Sequence, residues 1–342
     1  MRARVVAIAA ALFAAFHLSA SNISVNQIIA FGDSLSDAGN ASIASGGVIP
    51  GEGTNYATRT VPGVSFPTYY LTDGTNTTPS TAAPVGLWVD QLAAKLGVAD
   101  PAPALAGGTN YAVASALTGS ANAQDMQNQV NLFLSKFPGS ASPNSLYTFW
   151  GGANDVNTAL SSNPLTAAAA AVSAADNIES EIKQVSGDGG KYFLWLDLPL
   201  LGETPAALQS GPVASALANA VSQAFDAEYQ LDVTKLQAQG IDVIPVDIDT
   251  LFLSILADPS AFGFTDITHA CENFTGSTCT STSNPNQWLF WDGEHPTTAG
   301  DALISQVTFN ALTSAPEPAT YALLMLGGLG LIGFGRRRRS AS

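Results

Sequence analysis

Three histidines occur in the chain, His17, His269 and His295, so the supply of imidazole for acid–base work is small. His17 lies in a leader-like segment that maturation would remove, which leaves His269 and His295 as candidate bases. His295 stands in Trp291-Asp292-Gly293-Glu294-His295-Pro296-Thr297. In a tight loop, an aspartate three residues earlier can reach the ring Nδ1–H, fix the tautomer and stabilise the imidazolium. A partner hydroxyl stands in Phe31-Gly32-Asp33-Ser34-Leu35-Ser36-Asp37-Ala38-Gly39-Asn40, after an apolar run. A serine directly after a buried strand is held rigidly. Its Oγ meets substrate there, and its own N–H can face a developing oxyanion.

An oxyanion needs two or three fixed donors. Gly151-Gly152-Ala153-Asn154-Asp155 follows an apolar run and offers the Asn154 amide. A third candidate segment is Gly107-Gly108-Thr109-Asn110-Tyr111-Ala112-Val113-Ala114-Ser115-Ala116. Taken singly, each segment reads equally well as an ordinary turn.

The elements that must position these groups follow from hydrophobic patterning. Short, nearly continuous apolar runs at 26–34, 145–150, 191–198 and 241–246 predict strands. Helical spacing predicts helices near 86–97, 123–137, 164–185, 205–239, 247–257 and 298–313. Region 41–84 is rich in Gly, Pro, Thr and Asn and predicts a long loop able to shape a cleft. Alternating apolar strands and helices imply a parallel sheet covered on both faces, with ligands bound at the strands' carboxyl ends.

The four segments, in this order, resemble the GDSL esterase/lipase family, the SGNH hydrolases. The counterparts are Gly32-Asp33-Ser34-Leu35, the stretch at 110–116, Gly152-Ala153-Asn154-Asp155 and Asp292-Gly293-Glu294-His295. The resemblance spans residues 26–313. It implies a three-layer α/β/α sandwich with a mainly parallel central sheet, resembling flavodoxin. It further implies Ser34 as nucleophile, His295 as general base and acid, and Asp292 as its orienting carboxylate. The oxyanion hole would be the N–H groups of Ser34 and Ser115 with the Asn154 amide. Family members resembling this chain read Val-Gly-Gly where it has Val113-Ala114-Ser115, so a positive φ at that position would strain the serine. The Gly-x-Ser-x-Gly elbow of other hydrolases is absent from the sequence.

The expected chemistry is hydrolysis of carboxylic esters through an acyl-enzyme, with no metal and no cofactor. The substrate is left open among a lipid, an acylated carbohydrate and a small ester. An acyltransferase or phospholipase of the same family, and a catalytically decayed surface-displayed matrix protein, are the alternatives.

Composition agrees with a folded, exported body. The 342 residues are 46% hydrophobic and 11% charged, with 12 Lys+Arg against 27 Asp+Glu and a formal net charge of −15. Six of the basic residues sit at the extreme ends, Arg2, Arg4 and Arg336 to Arg339. The body between them carries roughly −20, which excludes a nucleic-acid partner. Residues 1–21 read as a signal peptide, with Arg2 and Arg4, an apolar run from Val5 to Phe16, and small residues Ser19 to Ser21. Residues 22–314 would be the hydrolase domain.

Residues 315–342 carry Pro316-Glu317-Pro318, an apolar run from Ala319 to Phe334 and then Arg336 to Arg339. This order resembles the PEP-CTERM sorting signal of Gram-negative bacteria. The resemblance implies processing by an exosortase-type enzyme after transient anchoring in the inner membrane, and a final place at the cell surface or in the extracellular matrix. Export also predicts a local disulfide between Cys271 and Cys279, the chain's two cysteines. So short a closed loop contributes about 2.5 kcal/mol.

Overall fold

The computed structural model describes residues 24–46, 86–271 and 285–314. The chain divides into two units. One runs from Val25 to Phe309, and the other comprises Met1–Ser24 with Asn310–Ser342. Of the second unit, Ser24 and residues 310–314 are described. The leader and the tail from Ala319 to Phe334 lie outside the described residues. Among the described residues, no helix is long and apolar enough to cross a membrane.

Four strands form a parallel sheet in sequential order: β1 (Gln27–Gly32), β2 (Ser145–Trp150), β3 (Tyr192–Leu196) and β4 (Asp242–Val246). Their registers align the carboxyl ends, with Gly32 opposite Trp150 and Leu196 opposite Val246. The apolar character of these runs is explained by cover on both faces, and every residue of β2 is buried.

On one face, Phe31, Tyr147, Phe149, Phe193 and Trp195 pack against α3 (Met126–Lys136), α5 (Ala167–Gly187) and α7 (Pro212–Ala238). On the other, α2 (Trp88–Leu96) sets Trp88 edge-on to Trp150, centroids 5.6 Å apart. Gln91 of α2 donates to the Thr298 carbonyl at the start of α9 (Thr298–Ser314) at 3.2 Å. Each such buried side chain contributes about 1.5–3 kcal/mol. The fold is α/β with layers of helices about a parallel sheet.

The outer edge of β1 is also covered. Segment 109–113 runs beside it, with Tyr111 N donating to the Ala30 carbonyl at 2.7 Å and Val113 N to the Gly32 carbonyl at 3.2 Å. Two further short elements are α1 (Asn40–Ala44) and α8 (Ile248–Ala257).

The structure differs from the sequence expectation at three places. The helix expected over 205–239 is two, α6 (Pro205–Gln209) and α7. Gly211, at φ 96, and Pro212, which cannot donate within a helix, separate them. The turn expected at Gly151–Asp155 opens directly into α4 (Ala153–Ser162). Between the helices expected at 247–257 and 298–313, β6 (Trp288–Phe290) pairs in parallel with β5 (Asp266–Ala270). These strands are too short for alternation to mark them in the sequence.

Candidate active site

Ser34 follows β1 by two residues, and its turn is fixed by hydrogen bonds from several directions. Gln129, buried on α3, clasps the last strand residue: its Nε2 donates to the Gly32 carbonyl at 2.7 Å, and its Oε1 accepts from Gly32 N at 3.0 Å. Gly32 is required there, because a Cβ would run into the Trp150 carbonyl. Asp33 accepts from Leu35 N at 3.0 Å and closes the turn.

Asp37 ties this turn to the neighbouring loop. Its carboxylate accepts from the N–H groups of Gly39, Asn40 and Ala41 at 2.7, 2.6 and 3.0 Å, and from Ala114 N at 2.9 Å. Asn40 donates to the Asn110 and Ala112 carbonyls at 2.7 and 2.9 Å, and Asn110 returns a bond to the Ser36 carbonyl at 2.6 Å. Loop 110–116 is therefore fastened to the Ser34 turn.

The histidine arrives from the far end of the chain. Asp292 accepts from the N–H groups of Glu294 and His295, both at 2.9 Å, and folds the loop back on itself. The His295 ring Nδ1 then lies 2.9 and 3.0 Å from the two Asp292 oxygens. An ionised carboxylate only accepts, so Nδ1 carries the hydrogen and Nε2 is left as acceptor. Nε2 lies 2.7 Å from Ser34 Oγ, across 261 positions of sequence. All three side chains are buried, His295 to 2% exposure.

Asn154 stands in the first turn of α4 and lines the same cavity as Ser34 and His295. Its amide donates to the Ala116 carbonyl at 3.1 Å and, more weakly, to Asp33 at 3.4 Å. Helix α4 begins there because Gly152 adopts φ 112, against the Phe225 ring. Ser115 is exposed and has φ 61, the positive-φ position among the described non-glycine residues. The left-handed backbone expected from the missing glycine is thus present. Neither Ser34 N nor Ser115 N donates a hydrogen bond among the described residues.

The structure therefore brings Ser34, His295 and Asp292 into one hydrogen-bonded series, sets Asn154 beside it, and puts Ser115 on the adjoining loop. His269 is elsewhere. It sits on β5, exposed, paired with Asp266 at 3.1 Å. The Asp266–His269 spacing equals that of Asp292–His295, yet no serine hydroxyl stands against that ring among the described residues. Cys271 is buried at the end of β5, and its expected bridging partner Cys279 lies outside the described residues. Most of the 41–84 loop also lies outside them.

Burial raises several carboxyls around the sheet edge. Asp33 is pushed up to about 7 by burial, against the opposing pull of the Leu35 N–H. Asp155, beside Asn154, is pushed up to about 6 by burial, partly offset by Thr118. Among the described residues, the group able to share a cation is Asp176, Glu228 and Asp232 on α5 and α7. There the Lys235 ammonium already lies 3.0 Å from Glu228 and 2.7 Å from Asp232.

Sequence reasoning missed the clasp of Gln129. It also missed the cavity wall formed by Leu198 to Leu201, Phe252 and Phe290. The run Leu198-Pro199-Leu200-Leu201 carried a signal, since it keeps the strand's apolar character past the sheet edge.

A hydroxyl, an imidazole and a carboxylate in series at the carboxyl edge of a parallel sheet can activate a serine for attack on a carbonyl. Residues 28–307 match the family GDSL-like Lipase/Acylhydrolase, and the chain belongs to that family. Residues 314–339 match the PEP-CTERM protein-sorting motif.

The chain is 30% identical over 330 residues to Esterase EstA of Pseudomonas aeruginosa, covering 86% of this chain and 48% of that protein. It is 27% identical over 254 residues to a phosphatidylcholine-sterol acyltransferase of Aeromonas hydrophila, covering 72% and 65%. The chain spans about half the length of the esterase it matches. A solved structure of a GDSL-like lipase from Parabacteroides merdae aligns at 12% identity and TM-score 0.41, over 86% of this chain and all of that one.

Proposed function

We propose that this protein is an exported serine esterase that hydrolyses carboxylic esters through an acyl-enzyme. The observation that carries the reading is the 2.7 Å approach of His295 Nε2 to Ser34 Oγ, with Asp292 behind the ring. His295 takes the Ser34 proton as Oγ attacks the ester carbonyl. The oxyanion is met by the unpaired N–H groups of Ser34 and Ser115 and by the Asn154 amide. This amide exchanges its long bond to Asp33 for the stronger charge. His295 then protonates the departing alcohol, water attacks the acyl-enzyme, and the acid leaves.

The test is hydrolysis of p-nitrophenyl esters by folded variants. Ser34→Ala and His295→Ala are expected to lose about 10³-fold or more in kcat, with His269→Ala close to the parent. Full residual turnover in Ser34→Ala, or a severe loss in His269→Ala, refutes the assignment. Absence of labelling by an organofluorophosphonate would favour a decayed display protein instead.

A second reading, transfer of the acyl group to an alcohol, is favoured by the likeness to a protein named as an acyltransferase. Product analysis with an added acceptor alcohol separates the two. The sorting motif supports export to the surface of a Gram-negative cell, with an exosortase-type enzyme acting on the tail. In that compartment Cys271 and Cys279 would close a local disulfide.

A further inference from the structure

We propose that Asp155 and Thr118 are positioning residues for the oxyanion-binding wall, together strapping segment 115–118 to α4 and α5. The proposal rests on the esterase reading and adds to it a device that none of the reacting groups supplies. Ser115 needs such a device. Its φ of 61 is a conformation that persists in a serine only where the surroundings over-determine it. Upstream, Ala114 N is held by Asp37 at 2.9 Å.

Downstream, each successive residue is tied. Asn154, in the first turn of α4, donates to the Ala116 carbonyl at 3.1 Å. Asp125, fully buried at the start of α3, accepts from Leu117 N at 3.0 Å. Asp155 takes both donors of Thr118, the N–H at 3.0 Å and the Oγ1–H at 3.0 Å. Thr118 is fully buried, and its hydroxyl accepts in turn from the Asn177 amide of α5 at 3.1 Å. Asn154 and Asp155 are neighbours on one helical turn. That turn therefore carries one oxyanion donor and grips the segment that carries another. The path from the Asn154 amide to Ser115 N runs through the Asp155–Thr118 pair, and it is short.

The chemistry of Asp155 supports a use for this strap. Three other acids act on it: Asp33, Asp125 and the fully buried Glu181 of α5. Burial pushes its carboxyl up to about 6, against the Thr118 donors that pull it down. Holding a carboxylate in such surroundings costs stability, and costs of this kind collect at functional sites. The ionised form offers an acceptor to each Thr118 donor, whereas an asparagine would offer one oxygen for two.

The experiment compares Asp155→Ala, Asp155→Asn, Thr118→Val and Thr118→Ser on protein shown folded by circular dichroism. Turnover is read with p-nitrophenyl butyrate. Oxyanion binding is read with a trifluoromethyl ketone, whose adduct with Ser34 carries the same charge as the transition state. Asp155→Ala should lower kcat ~10-fold or more and weaken the ketone by a similar factor, with KM little changed. Asp155→Asn should fall between Asp155→Ala and the parent. Thr118→Val should move both readings in the same direction, and Thr118→Ser, which keeps the hydroxyl, should restore them. Lower stability with kcat and ketone affinity at parent levels would mean that Asp155 supports only the fold, and overturns the proposal.

A second measurement needs no turnover. Hydrogen exchange at the Leu117 and Thr118 amides should quicken ~10-fold or more in Asp155→Ala, with the amides of β2 at the parent rate. Unchanged exchange at residues 117 and 118 overturns the strap whatever the kinetics. Absence of ester turnover in the parent overturns the esterase reading instead, so the two failures are told apart.

Discussion

Ser115 is a residue whose local conformation and chemical use pull in opposite directions. Its φ of 61 is left-handed backbone, which costs a non-glycine residue about 1–2 kcal/mol. The conformation is held by its neighbours, with Ala114 N on Asp37 and Ala116 N on the Val113 carbonyl. The result is an N–H without a partner among the described residues, beside the Ser34 turn. Ser115→Gly is expected to remove the strain while adding about 0.4–1 kcal/mol of unfolded-chain entropy cost, for a net stabilisation of roughly 0.5 kcal/mol. Ester turnover should be retained. Ser115→Val should destabilise by more than about 1 kcal/mol, since branching makes the left-handed region costlier still. Urea denaturation of both variants checks the pair. A glycine variant less stable than the parent would show that the serine side chain itself supports the turn.

At the scale of elements, Ser34 is placed by α3 as much as by β1. Gln129 answers both backbone groups of Gly32, and both lie where water does not reach. Gln129→Leu keeps the volume and removes the partners. It should cost about 1–3 kcal/mol through the orphaned Gly32 N–H, the Gly32 carbonyl keeping its bond from Val113 N. Because Ser34 is two residues beyond the clasp, kcat should also fall, by ~10-fold or more, with KM little changed. Steady-state kinetics on protein shown folded by circular dichroism gives the split. A KM effect alone would mean that Gln129 supports the fold and not the geometry of attack. Asp37 acts between elements in the same way, accepting from three N–H groups of its own turn and from Ala114 N of the 110–116 loop.

Over the whole molecule, buried acid is the dominant electrostatic feature. Burial pushes Asp197 up to about 8 and Asp226 up to about 7, with the mutual repulsion of neighbouring carboxylates adding to it for both. Asp33 and Asp155 are raised to about 7 and about 6. Glu181, with neither oxygen bonded among the described residues, and Asp301 are raised well above their ordinary values by burial. A carboxyl whose folded pKa exceeds its unfolded value near 3.8 binds its proton more tightly in the fold. Stability is then full below about pH 4 and declines as pH rises through the folded values, from about 4 to about 8. The formal charge of −15 adds self-repulsion in the same direction. The Tm should therefore be higher at pH 5 than at pH 9. A Tm that is flat or rising over that interval contradicts this reading. Under the proposed mechanism turnover runs the other way, since His295 accepts from Ser34 only when unprotonated.

The sequence by itself determined the strands of the main sheet and most helices, because apolar runs and helical spacing are local signals. It also determined which hydroxyl, amide and carboxylate to suspect, from motif order, and the strain at residue 115, from a missing glycine. Motif order singled out His295, though the local pair by itself does not, since His269 also has an aspartate three positions earlier. Asp266–His269 and Asp292–His295 form the same local pair. Tertiary structure alone set one of them against a serine hydroxyl, because it takes the folded sheet to bring a group 261 positions away to 2.7 Å. The Gln129 clasp and the apolar cavity wall of Leu198 to Leu201, Phe252 and Phe290 belong to the same class. Each joins residues far apart in sequence, and no local pattern records which distant backbone or ring a side chain will meet.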